Sequence, residues 1–157
     1  MLDSLKSRLI AAGASGVALS AALLIAPSEG EVRQTYRDPI GIPTACFGQT
    51  GPDIRMGQTY TSEQCADMLV KEVQVKLAEV DGCTPGLPDH LRRAFTSFAY
   101  NVGTAKYCGS TMARKARAGD YVGACAELSR WDRAGGKVLP GLVTRRAQER
   151  AVCEGRA

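Results

Sequence analysis

The chain has 157 residues, 45% of them hydrophobic and 23% charged, with a formal net charge of +4. That is long enough for one well-buried core, rarely for two, and too apolar for a disordered polypeptide. It carries no long run of like charges, no glycine-rich phosphate loop and no zinc-ligand spacing, so no nucleic acid, metal or organic cofactor is expected, while the modest positive charge suits an anionic polymer such as a cell wall.

Residues 9–26 contain no charge; Lys6 and Arg8 precede them and Glu29 is the first charge after them. As a helix, eighteen residues reach about 27 Å, close to the thickness of bilayer hydrocarbon. Basic residues before such a segment hold its start in the cytoplasm and send the rest outward. It would be a poor permanent anchor. Only Leu9, Ile10, Val17, Leu19, Leu23, Leu24 and Ile25 are strongly apolar; the rest are Ala, Gly and Ser. Those seven supply about 2–4 kcal/mol at best. A cleaved signal peptide has similar features, but Pro27 directly follows the one plausible exit at Ala26. A soluble buried helix is the third reading.

Glu29, Asp38 and Thr44 come next, an acid, a second acid nine residues on and a hydroxyl six beyond that. Gly30, Pro39, Gly41, Pro43 and Gly48 punctuate the run, which predicts a helix end followed by a short β-hairpin. A hairpin folded back on a helix end brings two carboxyls and a hydroxyl to one cleft. One acid can protonate a leaving glycosidic oxygen, the other can face the developing cation, and the hydroxyl can hold a water.

Beyond the hairpin, Thr61-Ser62-Glu63-Gln64 reads as a capping box. Cys65, Met68, Leu69, Val73, Leu77 and Val80 follow at helical spacing, and Gly82 is the expected end. Leu91, Ala94, Phe95, Phe98, Ala99 and Val102 predict a buried helix with Asp89 as cap and Gly103 as terminator. Short helices are expected from Ser110 to Lys115 and from Asp120 to Leu128, and a last one over Thr144–Val152, with Trp131 in the core. The fold class is α+β, a small hairpin lobe and a larger all-helical lobe with a cleft between them. The boundaries are a membrane-active segment over 1–26 and a catalytic domain over 27–157, divided into a small lobe (27–62), a linking helix (62–81) and a helical lobe (83–157).

Cys46, Cys65, Cys83, Cys108, Cys125 and Cys153 form an even set without a C-x-x-C pair. Behind an export segment they predict disulfides formed in an oxidising compartment, with about 15 pairings possible. A buried free thiol at Cys83 or Cys108 is the alternative.

The order Glu29-Gly30, Tyr36-x-Asp38, Thr44-x-Cys46-x-Gly48 resembles the phage-type lysozymes, glycoside hydrolase family 24. So do Tyr60–Cys65, Ser97–Gly103, Arg130-Trp131 and Ala134–Arg146, a likeness covering residues 28–153. The resemblance implies that Glu29 is the general acid, that Asp38 stabilises charge or activates a water, and that Thr44 holds that water, with inversion favoured. It implies glycan contacts at Tyr100, Asn101 and Thr111, and at Arg145 or Arg146 a contact to peptide-stem carboxylates or a pair with Glu149. It also suggests the pairings Cys46–Cys65, Cys125–Cys153 and Cys83–Cys108. Gln49 stands where the family often has a histidine, so an ion pair there is lost, and His90 reads as a solvated turn residue.

The weak N-terminal anchor resembles that of the signal-anchor-release endolysins. This implies a monomeric muramidase that cleaves the β-1,4 bond between N-acetylmuramic acid and N-acetylglucosamine in peptidoglycan and lyses the host. Membrane tethering pins Glu29 and holds the enzyme off; depolarisation by a holin or pinholin frees it from the inner membrane into the periplasm. A lytic transglycosylase, and a tethered wall-binding protein without activity, are the alternatives.

Overall fold

The computed structural model describes residues 2–157, with side chains described from Ser4 onward. The chain forms two compact units, one ending at Val73 and the other covering Gln74–Ala157.

The first unit opens with α1 (Leu2–Ala11) and α2 (Gly16–Glu29). The uncharged stretch 9–26, expected as one helix, is therefore two. Gly13 and Gly16 have φ of 98° and 54°, the left-handed region that glycine enters without steric cost. The N–H of Ala14 donates to Leu9 O (3.0 Å) and that of Gly13 to Ile10 O (2.9 Å), a Schellman motif that satisfies the last carbonyls of α1. Leu9, Ala14, Ala21, Ala22, Ile25 and Ala26 are buried. The segment is thus part of the folded core. No helix among the described residues is long and apolar enough to cross a membrane.

The hairpin follows as expected. β1 (Val32–Arg37) pairs antiparallel with β2 (Pro43–Cys46), with Tyr36 opposite Thr44 and Val32 opposite Cys46. The register shifts between Val32 and Tyr36, and Cys46 has a φ of 60°. That conformation costs a non-glycine residue about 1–2 kcal/mol. Cys46 is disulfide-bonded to Cys65, near the start of α3 (Ser62–Cys83). The capping box is formed: Gln64 N–H donates to Thr61 Oγ1 (3.0 Å) and Thr61 N–H to Gln64 Oε1 (2.8 Å). α3 continues through Gly82, and its Val73 and Gln74 fall on either side of the unit boundary.

In the second unit α4 (Asp89–Val102) buries Leu91, Phe95 and Phe98 and packs against α8 (Pro140–Cys153). Gly103 ends α4 as expected, but Pro88 occupies the cap and Asp89 the first turn. α5 (Thr104–Cys108) is an additional element. It carries Tyr107, which contacts Phe95 and Phe98 and shares a 2.7 Å hydrogen bond with Thr84. Burial pushes the Tyr107 phenol up to about 12. α6 (Thr111–Arg117) is capped by Ser110 and α7 (Tyr121–Glu127) by Asp120, and the two pack together. A 3-10 turn at Leu128–Arg130 leads to a minimal hairpin, β3 (Arg133–Ala134) with β4 (Lys137–Val138), in the lobe expected to be all-helical. Disulfides join Cys83 to Cys108 and Cys125 to Cys153.

A buried ionic cluster fastens α8 to α4. Glu149 is 0% exposed and Arg146 1%. Arg146 pairs with Glu149, donates to Trp131 O (2.9 Å) and lies 4.9 Å over the Phe98 ring. Ser97 Oγ donates to Glu149 Oε1 (2.7 Å). Removing one partner of such a cluster leaves buried charge uncompensated. Glu149→Ala is expected to cost about 3–5 kcal/mol, read as a lower midpoint in urea unfolding of the oxidised protein.

Candidate functional site

Glu29 is the last residue of α2, where Gly30, at a φ of 73°, turns the chain toward β1 and donates its N–H to Ala26 O (2.9 Å). The side chain of Glu29 is half-buried and turns toward the hairpin. A Cβ built on Gly48 would stand 3.1 Å from Glu29 Oε2. The turn after β2 therefore passes directly under the carboxylate, and the missing side chain at 48 gives Glu29 room there. Gly48 also has a φ of 83°, a conformation that favours glycine on its own account.

Asp38 lies in the turn at the other end of the hairpin. Its Oδ1 accepts the N–H of Ile40 (3.0 Å) and of Ile42 (2.9 Å), while its own N–H donates to Ile42 O (3.0 Å). Two amide donors on one oxygen fix the carboxylate plane and leave the second oxygen for another partner. Thr44 is 4% exposed, and its hydroxyl donates to Ile42 O at 2.9 Å. With its proton committed, Thr44 Oγ1 is left as an acceptor. Asp38 and Thr44 thus both grip Ile42. Along the strand, Thr44 stands between the Asp38 turn and the Gly48 turn that meets Glu29.

Two ties hold this arrangement. One is the Cys46–Cys65 disulfide. The other is Gln49, which is 6% exposed, accepts the N–H of Phe47 at 2.7 Å and donates Nε2 to Glu72 Oε2 of α3 at 3.1 Å. Gln49 cannot form an ion pair, and a neutral amide–carboxylate hydrogen bond stands at this position.

The remaining candidates lie in the second unit. Tyr100 is half-buried and Asn101 exposed at the end of α4, and Asn101 Oδ1 accepts from Arg146. Thr111 is exposed on the first turn of α6, which Ser110 caps. Arg145 is 6% exposed and donates to Glu149 Oε1 (3.2 Å) and Ser97 O (3.3 Å). Of the two roles open to Arg145, the internal pair is formed. His90 is exposed, as expected, but it stands in the first turn of α4 and not in a turn before it.

The Gly48→Ala variant tests the seat of Glu29. A methyl group at 48 makes the carboxylate give by a few tenths of an ångström, less than the misplacement of about 1 Å that costs about 100-fold, so a fall in activity of less than about 100-fold is expected. Loss of the left-handed glycine adds about 1–2 kcal/mol of destabilisation. Rates measured well below the melting temperature separate the two effects.

Comparison with known proteins bears on what this geometry serves. The family model described as phage lysozyme matches residues 26–149. The SAR-endolysin of Enterobacteria phage PA-2 is 39% identical over 98% of this chain and 97% of its own length. Among solved structures, the active form of the P1 phage endolysin Lyz has the same fold, with a TM-score of 0.82 at 24% identity over 99% of this chain and 94% of that one. The secreted inactive form of the same endolysin gives a TM-score of 0.52 at 25% identity over 68% and 77%.

Proposed function

Since the chain belongs to the phage lysozyme family, we propose that it is an endolysin that hydrolyses the β-1,4 bond between N-acetylmuramic acid and N-acetylglucosamine in peptidoglycan. The observation that carries this is the seating of Glu29 over Gly48 on the hairpin that holds Asp38 and Thr44.

Glu29 acts as general acid and protonates the leaving oxygen. Its position at a half-buried helix end gives it a fixed approach to the bond. Asp38 presents its free oxygen to a water, whose other proton goes to the acceptor lone pair of Thr44. Held by both, the water keeps one lone pair for the anomeric carbon, and Asp38 takes a proton as the bond forms. This is the direct, inverting route, which needs room for a water between the carboxyls. The order Asp38, Thr44, Gly48 along the hairpin supports it. Tyr100, Asn101 and Thr111 remain candidate glycan contacts, whereas Arg145 is assigned to the lobe interior.

The same reading includes regulation by the membrane. The segment 9–26 carries both a marginal apolar run and the glycines that let it fold as α1 and α2. In a bilayer it would hold Glu29 at the lipid surface, three residues past Ala26. Released, it buries Leu9, Ala21, Ala22 and Ile25 and carries Glu29 to the hairpin. The higher TM-score against the active form of the P1 endolysin supports reading this fold as the released state. Burial of the segment also argues against its cleavage, which would strip the first unit of those side chains.

Three measurements test these statements. Glu29→Gln, assayed on purified walls, is expected to lose at least about 1000-fold in rate while still binding them, as a missing general acid requires. Products of the wild type should carry the mass of an added water; anhydro-sugars would establish a transglycosylase instead. For the regulation, the triple change Gly13→Leu, Ser15→Leu and Gly16→Leu favours a continuous apolar helix over the turn. It should remain in the membrane fraction and digest walls at least about tenfold more slowly than the soluble wild type. Equal rates would end the regulatory reading.

A further inference from the structure

The turn that meets the Glu29 carboxylate runs from Ala45 to Gln49, and Gln49 closes it on itself. Ala45 N–H donates to Gln49 O (3.0 Å), Gln49 N–H donates to Ala45 O (2.9 Å), and inside the loop Phe47 N–H donates to Gln49 Oε1 (2.7 Å). The other end of the same side chain leaves the turn, where Nε2 donates to Glu72 Oε2 on α3 (3.1 Å). An amide carries its acceptor and its donors on one plane. With the acceptor on Phe47 and the donor on Glu72, that plane is fixed. Gln49 is 6% exposed, so water is a poor substitute for either partner. Phe47 and Gln49 are the chain neighbours of Gly48, and the bond between them spans the residue on which Glu29 rests. Cys46 and Gly48 both hold positive φ, 60° and 83°. For Cys46 that conformation persists only while surrounding bonds over-determine it. Those bonds come from one helix face. Cys65 and Glu72 stand seven residues apart on α3, a spacing that puts both on one side. The disulfide holds the entry of the turn and the amide holds its exit.

Resting on the hydrolase reading above, we propose that Gln49, anchored on Glu72, is a positioning residue for the general acid: it sets the rate of bond cleavage by holding Gly48 under the Glu29 carboxylate. Its action runs through Gly48 and not through the reacting atoms. A general acid works only within hydrogen-bond reach of the oxygen it protonates, and such a group has to be held within about 0.5 Å of its working place by the bonds behind it. Losing the Gln49 plane frees the exit of the turn while the disulfide still holds its entry. The turn then shifts at Phe47 and Gly48, and the seat of Glu29 shifts with it. A misplaced acid weakens an interaction made in the transition state, so the loss falls on kcat and leaves KM nearly unchanged. A residue that served stability alone would lower the melting temperature and leave kcat in place.

The test uses full-length oxidised protein and soluble glycan strands prepared from peptidoglycan, with kcat and KM measured well below the melting temperature. Gln49→Met keeps the length of the side chain and removes both polar ends. It is expected to lower kcat about tenfold and to leave KM within about twofold. Gln49→Glu keeps the acceptor for Phe47 but sets a second carboxylate against Glu72, and it should also lower kcat about tenfold. Adding Glu72→Gln exchanges donor and acceptor between the two positions and should bring kcat back to within about threefold of the wild type. With the proton donor at 29 removed there is nothing left to position, so in a Glu29→Gln background Gln49→Met should lower the residual rate by less than about twofold. A wild-type kcat in Gln49→Met overturns the proposal. So does a Gln49→Glu loss that Glu72→Gln leaves unrepaired, or a further loss of about tenfold in the Glu29→Gln background. Glu29→Gln alone judges the parent reading: if it cleaves at the wild-type rate, the hydrolase assignment itself falls, and if it is inactive while Gln49→Met is not impaired, only the role of Gln49 falls.

Discussion

The carboxylate of Glu29 rests against the hairpin at residue 48, where the missing side chain leaves it room. A helix end carries one acid and a hairpin carries the other, and the two are separate elements until something joins them. The joint is a van der Waals fit between an oxygen and a bare α-carbon, 3.1 Å from where a methyl group would stand. Everything else in the first unit serves that fit. The left-handed Cys46, its bond to Cys65 and the Gln49–Glu72 contact hold the turn in place. Asp38 and Thr44, both fastened to Ile42, keep the far end of the hairpin rigid.

On the proposed membrane-release reading, the N-terminal segment has to suit two solvents. In lipid, a continuous helix satisfies every backbone group, and small residues are tolerated. In water the same small residues become an advantage. Ala21, Ala22 and Ala26 let α2 sit close to its neighbours, and Gly13 and Gly16 supply the two left-handed conformations that end α1 and open α2. Stronger apolar residues would hold the segment in lipid and overfill the folded packing, while stronger polar ones would lose both. On that reading the weak hydrophobicity is a compromise between two packed states.

What could be read from the sequence was local. The capping box at Thr61 and Gln64, the stop at Gly103 and the cap at Asp120 each depend on a few neighbouring residues, and each stands where the pattern put it. The Glu29–Asp38–Thr44 spacing placed one acid at a helix end and the other two groups on a hairpin, as found. What could not be read depended on solvent or on distant partners. Gly13 and Gly16 are the only marks of a turn in an uncharged stretch whose length also fits one continuous helix. Arg145 looks like a surface residue because its partners Ser97 and Glu149 come from another helix and another turn of its own. Pro140 hid the start of α8, since proline is acceptable in a first helical turn. β3 and β4 are two residues each, too short for any alternation to appear.

Gln49 carries a consequence for the environment in which the protein would work. The bond from its amide to Glu72 has a donor that keeps the same protonation at any acidity a cell meets. An imidazole at that position would switch charge near neutrality. With an amide, the donor side of the link from hairpin to α3 is the same in acid and at neutrality, so this joint lacks the switch that an imidazole would place in it.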